Sequence, residues 1–263
     1  GAGLKTVFDA SKPIVVGRQR VRDGAHAKGR PLSLEEVFLF SSNIGSAKEA
    51  MSVGVEAHRA FLQRMGLLSR LQTELPETAV PLQPRKWSQA TSITAAFGHG
   101  FATTPLQTAT GIAAILNNGQ MMPTTFIKRA GDEGERLASS VVSDKTSRTM
   151  RYLYRLNAIK GTGKRANIEG FRVGGKTGTA EKVIGGRYAK NHNFNVFAAA
   201  FPMESPQYVL LVVVDDPRPN SASPGITAAA NAAPVAGAII GRSASMLGVQ
   251  PDFSIMADPE TLL

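Results

Sequence analysis

The chain has 263 residues, 43% of them hydrophobic and 19% charged, so it can bury a sizeable core and is not an intrinsically disordered chain. The 30 lysines and arginines against 20 aspartates and glutamates give a net charge of +10, which is typical of a polyanion-binding protein (nucleic acid, anionic lipid or acidic cell-wall polymer) or merely of a solvated basic surface. The absence of cysteine excludes disulfides, thiol catalysis and cysteine-bound zinc, and the aromatic residues do not interleave with basic ones as in nucleic-acid-binding proteins.

The first part of the chain is predicted to be mainly helical. Lysine, arginine, glycine and proline dominate residues 8–32, which we expect to form loop and short strand. The segment Ser33-Leu34-Glu35-Glu36 is a capping box, in which serine and glutamate side chains satisfy backbone N–H groups at a helix start. A second box lies at residues 104–107, with proline at the first helical position. The predicted helices cover residues 33–40, 44–51, 55–65 (closed by Gly66), 104–116 and 145–156.

The last third of the chain is predicted to contain strands and a closing helix. Apolar and β-branched residues indicate strands at 171–183, 195–201 and 208–214, and the proline-containing loop 202–207 suits an antiparallel hairpin. Residues 226–247 are rich in alanine and glycine and predict a helix, with Pro234 near a kink or its start. Helices followed by a hairpin and a packing helix favour the α+β class, an antiparallel sheet packed with helices.

The segment from Gly170 to Ala180 fits more than one known motif. Gly170 and Gly175-Lys176-Thr177 match G-x-x-x-x-G-K-[ST], the phosphate-binding loop of nucleotide hydrolases, and Asp215 after an apolar run resembles a Mg²⁺-binding strand end. A phosphate loop needs a buried strand before the glycines and a helix beginning at the lysine, and the flanking residues suit neither. A P-loop NTPase is therefore kept as a remote alternative.

The same segment also matches the K-T-G strand of serine acyl-transferases that act on D-Ala-D-Ala peptides or β-lactams. In that reading the segment is an edge strand, and Gly178 allows the substrate backbone to approach closely. Lys176 supplies positive charge, and the hydroxyls of Thr177 and Thr179 bind the terminal carboxylate of the substrate. A lone K-T-G equally fits a glycine and threonine turn with a solvated lysine.

A second acyl-transferase signature, S-x-N, occurs as Ser41-Ser42-Asn43 in the expected order, upstream of Lys176. Such tripeptides are common by chance, but the strings around both motifs add to the match. Together they resemble the class B penicillin-binding proteins, and in detail the division-specific septal enzyme of alphaproteobacteria. The strings that carry the resemblance lie at residues 37–45, 97–107, 161–163, 173–180, 195–201 and 233–235.

The resemblance covers nearly the whole chain and implies a penicillin-binding-protein/β-lactamase-like transpeptidase fold with an all-helical subdomain. It implies a peptidoglycan D,D-transpeptidase that cross-links stem peptides through a serine acyl-enzyme in septal cell-wall synthesis. By the family pattern, Ser41 and Lys176 complete a proton relay, and Asn43 holds the acyl amide. The backbone N–H of Thr179 contributes to the oxyanion hole, and Thr177 and Thr179 bind the carboxylate. No metal or organic cofactor is implied.

One part of the family pattern is missing. The nucleophile of the family lies in S-x-x-K, and no lysine in this chain has a serine three residues before it. The nearest match, Thr179 to Lys182, belongs to the K-T-G strand. We therefore expect residues 1–263 to be a transpeptidase domain that is N-terminally incomplete and inactive alone, with the S-x-x-K serine upstream of residue 1. The alternatives are a catalytically inactive division scaffold, or a D,D-carboxypeptidase or β-lactamase of the same fold.

The resemblance also implies partners and a location. We expect peptidoglycan stem peptides as substrates, β-lactam antibiotics as ligands, and division-complex membrane proteins, including a glycan polymerase, as partners; nucleic acid is not expected. The expected location is the periplasmic face of the inner membrane, with an N-terminal anchor that is not in this chain. His26, His58 and His192 show no metal-ligand spacing, His99 is expected to be structural, and Asp215-Asp216 is expected to end a strand.

Overall fold

The computed structural model describes residues 2–17, 19–24, 27, 29–129, 133, 137–185, 187–219, 225–253 and 258–263, so His26 lies outside the described residues. The chain divides into two compact units. The first comprises residues 1–114 and 120–141, and the second comprises residues 115–119 and 142–263. Within the described ranges, no helix combines the length and the apolar character that crossing a membrane requires.

The first unit consists of helices and short two-stranded ribbons. Its antiparallel ribbons pair β1 with β4, β2 with β3 and β5 with β6. The last two residues of α5 belong to the second unit. The elements are β1 (Val7–Asp9), β2 (Ile14–Val16), β3 (Gln19–Val21), β4 (Pro31–Ser33), α1 (Leu34–Phe40), α2 (Asn43–Val53), α3 (Val55–Arg64), α4 (Gln89–Ala95), α5 (Pro105–Leu116), β5 (Gln120–Met121) and β6 (Ser139–Ser140).

The ends of these helices follow from local sequence. Ser33 and Glu36 form the predicted capping box at the start of α1, with the Ser33 Oγ accepting from the Glu36 N–H at 3.2 Å. At the end of α3, Gly66 has a φ of +68°, its N–H donates to the carbonyl of Gln63, and the N–H of Leu67 donates to the carbonyl of Leu62. This pair of bonds is the Schellman arrangement, which glycine permits because it lacks a Cβ.

The core of the first unit lies beneath α1 and α2. It contains Leu32, Val37, Ile44 and Ile93, each at most 3% exposed. A Cβ at Gly45 would lie 2.4 Å from a methyl of Val37, so α1 and α2 approach closely only because residue 45 is glycine. This contact fixes the connection between the two helices, residues 41–42.

The second unit is an antiparallel sheet of three strands in the order β7-β8-β9, packed with two helices. The last helix, α7, covers β8 and β9 with small residues, including Ala232, Ala233 and Ala236, which let it approach Phe197 and Phe201 in the core. The elements are α6 (Asp144–Lys160), β7 (Gly174–Ile184), β8 (Arg187–Phe201), β9 (Tyr208–Asp215) and α7 (Ala232–Ser243), with short 3₁₀ helices at Lys164–Ala166 and Pro259–Leu262.

Most predicted elements are present, with shifted ends. The first sheet strand begins at Gly174 instead of residue 171, because Arg172 adopts a left-handed conformation with φ +44° that breaks the strand. The second strand begins at Arg187 instead of residue 195, since its polar first half pairs with the end of β7. The closing helix is shorter than predicted, and Pro234 lies in its first turn, where proline is tolerated.

The predicted α+β class, with an antiparallel sheet packed by helices, is confirmed. In the first unit the helices are accompanied by ribbons. The sequence did not predict α4, which begins at Gln89 and is capped by Ser88. The phosphate-loop alternative is wrong, because Lys176 is the third residue of a strand and no helix begins there.

Candidate active site

The Ser41-Ser42-Asn43 turn joins α1 to α2 in the first unit. Ser41 is exposed and adopts a left-handed conformation with φ +52°, which turns the chain at the end of α1. Ser42 is fully buried and caps α2, where its Oγ accepts from the N–H of Gly45 at 2.9 Å. Ser41 therefore lies exposed at the junction between the end of α1 and the start of α2.

Asp23 holds this turn from outside the two helices. Its Oδ2 accepts from the Ser42 hydroxyl at 2.7 Å, and its Oδ1 accepts from the N–H of Ile44 at 2.9 Å. The neighbouring carbonyl of Arg22 accepts from the Asn43 Nδ2 at 3.0 Å, which orients the Asn43 amide. The sequence did not predict this role for Asp23, because a carboxylate about 20 residues before the turn leaves no local signal.

The K-T-G residues lie on β7, which is an end strand of the three-stranded sheet, as predicted. The carbonyl of Gly175 accepts from the Asn157 side chain, and the carbonyl of Thr177 accepts from the Lys176 Nζ at 3.2 Å. Neither carbonyl is therefore directed at β8, and alternate residues of a strand direct their backbone groups to the same side. By this alternation the backbone N–H of Thr179 also points away from β8.

Lys176 is partly exposed, and its pKa is shifted from the ordinary value. Its side chain retains some contact with solvent, but the surrounding protein removes much of its hydration. Burial disfavours the charged form and lowers the pKa of Lys176 from 10.5 to about 8. A lysine whose pKa lies near neutral pH exchanges protons readily, as a member of a proton relay must.

Gly175 and Gly178 of β7 differ in whether the surrounding packing leaves space for a side chain. A Cβ at Gly175 would lie 2.4 Å from the ring of Phe197 and 2.9 Å from the carbonyl of Ala198, so packing demands glycine there. Among the described residues other than its two chain neighbours, none has an atom closer than 3.9 Å to a Cβ built at Gly178, and Gly178 is exposed. The packing of this chain therefore does not account for glycine at position 178.

The edge of β7 and the residues just before it are tied to α6 by side chains that the sequence did not single out. Asn157 is fully buried, and its Nδ2 donates to the Gly175 carbonyl at 2.7 Å. Arg155, 4% exposed, donates to the Val173 carbonyl at 2.7 Å and to the Asn167 Oδ1 at 2.7 Å. Helical periodicity alone does not distinguish such buried polar residues from the solvated face of a helix.

Thr177 and Thr179 each have a hydrogen-bond partner beside the strand. The Thr177 Oγ1 lies 2.7 Å from the Thr162 Oγ1, in the loop that follows α6. The Thr179 Oγ1 accepts from the backbone N–H of Ala228 at 3.0 Å. Asn195 is fully buried on β8, and its Nδ2 donates to the Ile226 carbonyl, which holds the segment carrying Ala228 beside the sheet.

The histidines lie apart from these two motifs in sequence. The Nδ1 of His58 lies 2.6 Å from the Ser92 Oγ, and burial lowers the pKa of His58. His99 follows the positive-φ residue Gly98, and its N–H donates to the carbonyl of Thr94. Asp215 ends β9, and the next residue, Asp216, lies 2.9 Å from the His192 Nδ1. Among the described residues, no three His, Cys, Asp or Glu side chains are grouped as a metal site.

The sequence model of the penicillin binding protein transpeptidase domain matches residues 5–240. The chain belongs to the penicillin-binding protein transpeptidase family. The chain is 40% identical over 262 residues to a "probable peptidoglycan D,D-transpeptidase FtsI" of Caulobacter vibrioides, and 31% identical over 245 residues to a PenA protein of Neisseria meningitidis described in the same words. The predicted class B membership and the likeness to an alphaproteobacterial division enzyme are confirmed.

Solved structures of penicillin-binding proteins share this fold. The apo transpeptidase domain of Burkholderia pseudomallei penicillin-binding protein 3 has a TM-score of 0.83 and 27% identity, and the match covers 95% of this chain and 75% of that one. The complex of Mycobacterium tuberculosis penicillin-binding protein 3 with aztreonam has a TM-score of 0.81 and 27% identity, with 95% and 59% covered. The sequence matches to the Caulobacter and Neisseria proteins cover 95% and 92% of this chain but only 44% and 40% of those two proteins, so the chain spans less than half the length of these relatives.

Proposed function

We propose that this chain is the transpeptidase domain of a peptidoglycan D,D-transpeptidase that cross-links stem peptides during septal cell-wall synthesis. The observation that carries the proposal is the edge strand β7, with Lys176 of lowered pKa followed by Thr177, Gly178 and Thr179. The family and the printed activity of the Caulobacter and Neisseria relatives support the same reaction class.

The substrate binds along the β7 edge in this proposal. The hydroxyls of Thr177 and Thr179 bind the terminal carboxylate of a D-Ala-D-Ala peptide or of a β-lactam. Gly178 leaves room for the substrate backbone, which explains a glycine that the packing of this chain does not require. The N–H of Thr179 contributes to the oxyanion hole, where loss of one donor typically costs about 3 kcal/mol of transition-state stabilisation.

The Ser41–Asn43 turn supplies the remaining groups. Ser41 and Lys176 move protons between the nucleophile and the leaving amine, and the Asn43 side chain holds the acyl amide of the substrate. The bonds that the turn donates to the Asp23 carboxylate and the Arg22 carbonyl keep it in one conformation, which favours catalysis because its groups need no reorganisation during the reaction.

The nucleophile comes from outside these residues in this proposal. Because no S-x-x-K occurs in the sequence, we place the nucleophilic serine upstream of residue 1, in a domain that residues 1–263 represent incompletely. That serine attacks the penultimate D-Ala carbonyl and expels the terminal D-Ala, and the amine of a second stem peptide then attacks the acyl-enzyme and releases the serine.

The expected setting follows from the same proposal. Peptidoglycan stem peptides are the substrates and β-lactams are inhibitors that form a slowly hydrolysed acyl-enzyme. We place the protein at the periplasmic face of the inner membrane, held by an N-terminal anchor and associated with division-complex membrane proteins that include a glycan polymerase.

Fluorescent penicillin labelling tests the proposal. The complete gene product should become covalently labelled and stay labelled, whereas residues 1–263 alone should not react. Labelling of residues 1–263 would contradict the placement of the nucleophile, and an unlabelled complete gene product would contradict the enzymatic function. Rapid loss of the label by hydrolysis would instead indicate a β-lactamase.

A further inference from the structure

The loop after α6 is built around Asn157. The main-chain carbonyl of Asn157 accepts from the N–H groups of Gly161 and Gly163, and its side-chain Oδ1 accepts from the N–H of Thr162 at 3.1 Å. A Cβ at Gly163 would lie 3.2 Å from the Asn157 Nδ2, which leaves little space for a larger residue. These bonds hold the Thr162 hydroxyl at a fixed place beside β7.

The Thr162 hydroxyl lies between two acceptors but has only one proton to donate. The Asn157 Oδ1 is 3.3 Å away and already accepts the backbone N–H of Thr162, whereas the Thr177 Oγ1 is 2.7 Å away. Two arrangements are therefore available: Thr162 donates to Thr177, or Thr177 donates to Thr162. Only the first leaves the Thr177 proton available for another acceptor.

The Thr179 hydroxyl already accepts one hydrogen bond and keeps its own proton for another acceptor. The N–H of Ala228 is a donor only, so the contact of 3.0 Å makes the Thr179 Oγ1 an acceptor on that side. The Thr179 proton is then directed elsewhere. A carboxylate accepts hydrogen bonds and cannot donate them when ionised, so a site for a carboxylate needs donors at both threonines.

We infer that Thr162 is a positioning residue that makes Thr177 a hydrogen-bond donor, as the Ala228 N–H does for Thr179. When an anionic acyl donor binds, the Thr162 hydroxyl turns from Asn157 to Thr177, and the Thr177 hydroxyl donates to the carboxylate. Asn157 anchors Thr162 without touching the ligand. The inference rests on the proposed function, because it assumes that the two threonines bind a carboxylate.

Stopped-flow acylation of the complete gene product by a fluorescent penicillin separates two constants, the dissociation constant of the non-covalent complex and the first-order acylation rate constant. A hydroxyl contact of this kind is made equally in the bound complex and in the transition state, so it acts on binding. Thr162→Val should raise the dissociation constant about fivefold and leave the acylation rate constant within about twofold. Thr162→Ser, which restores the hydroxyl, should return the dissociation constant to within about twofold of the unchanged protein.

A double-variant cycle identifies Thr177 as the residue through which Thr162 acts. If Thr162 works only through Thr177, the pair Thr162→Val with Thr177→Val should bind no more weakly than Thr177→Val alone. Independent, multiplicative effects of the two substitutions overturn the inference. The matched control is Thr110→Val, since Thr110 and Thr124 form a similar hydroxyl pair at 3.1 Å in the first unit. Both constants should be unchanged in this control.

The outcomes also distinguish the inference from the proposed function. If the unchanged gene product is not acylated, the proposed function fails and the inference fails with it. If it is acylated and Thr162→Val lowers the acylation rate constant without changing the dissociation constant, Thr162 only supports the strand and the inference alone fails. Thr162→Ala removes the same hydroxyl and repeats the measurement if the valine variant does not fold.

Discussion

The Ser41–Asn43 turn and the β7 edge are held in place by different kinds of contact. The turn is fixed mainly by the end of one helix and the cap of the next, with Asp23 as an additional acceptor. The β7 edge is fixed by buried side chains of α6: Asn157 binds the carbonyl of Gly175, and Arg155 binds the carbonyl of Val173, just before the strand. The turn should therefore tolerate the loss of Asp23 better than the strand tolerates the loss of Asn157, because the bonds to Asp23 are only partly buried whereas the bond from Asn157 to Gly175 is buried.

The largest stability effect is expected at Asn157. Asn157→Ala leaves the buried Gly175 carbonyl and the partly buried Thr162 N–H without their partner, and it also opens a cavity. The free energy of unfolding should fall by about 3 kcal/mol in urea or thermal denaturation. Gln63→Ala, which removes an exposed amide from α3, is the control and should change it by less than about 0.5 kcal/mol. Equal effects of the two substitutions would show that the α6 contacts do not hold the strand.

Substitution by alanine should affect different properties at Gly175 and Gly178: stability at the first and acylation at the second. Gly175→Ala forces a methyl against the ring of Phe197 and should cost about 2 kcal/mol of stability. The methyl of Gly178→Ala makes only an ordinary van der Waals contact with Val196, so stability should stay within about 0.5 kcal/mol, while acylation of the complete gene product by penicillin should slow about tenfold. Chemical denaturation and labelling rates measure both. Normal acylation of a folded Gly178→Ala variant contradicts substrate binding along this edge.

A smaller loss of stability is expected in the turn. Asp23→Ala removes the acceptor of the Ser42 hydroxyl and of the Ile44 N–H, but Ser42 still caps α2 through Gly45. The free energy of unfolding should fall by about 1.5 kcal/mol. Glu77→Ala, at an exposed carboxylate in a loop, is the control. If Asp23→Ala destabilised the chain more than Asn157→Ala, the proposed difference between the two regions would be wrong.

The pH dependence of acylation sharpens the role of Lys176. Burial lowers the pKa of Lys176 to about 8, so this lysine loses its positive charge above that pH. Because the proposed role of Lys176 depends on that charge, the second-order acylation constant of the complete gene product should then fall, by up to about tenfold for each pH unit. The titration of Lys176 itself does not destabilise the folded state over this pH range. The folded-state pKa lies below the unfolded value of 10.5, so the contribution of this group to stability rises as the pH passes from about 8 towards 10.5.

Lys176→Arg provides the comparison, since a guanidinium stays charged over this range. The variant should acylate more slowly than the unchanged protein but lose the decrease above pH 8. An identical decrease in the variant would assign the titration to another group.

Local chemistry explains which elements the sequence predicted. Capping residues such as Ser33 and the glycine Gly66 mark helix ends within a few residues, so α1 and α3 were predicted closely. The start of β7 was misplaced because the left-handed conformation of Arg172 has no glycine to signal it. Among the site residues, K-T-G and S-x-N were recognisable as strings, whereas Asp23, Asn157 and Thr162 act through partners 15 to 21 residues away.

A crystal structure of the complete gene product acylated by penicillin tests the central claim most directly. Hydrogen bonds have lengths of about 2.7–3.2 Å. The account predicts the carboxylate of the adduct within that distance of the Thr177 and Thr179 hydroxyls, and the side-chain amide of the adduct within the same distance of the Asn43 side chain. An adduct whose carboxylate lies away from β7, or whose amide lies away from the Ser41–Asn43 turn, would contradict the assignment.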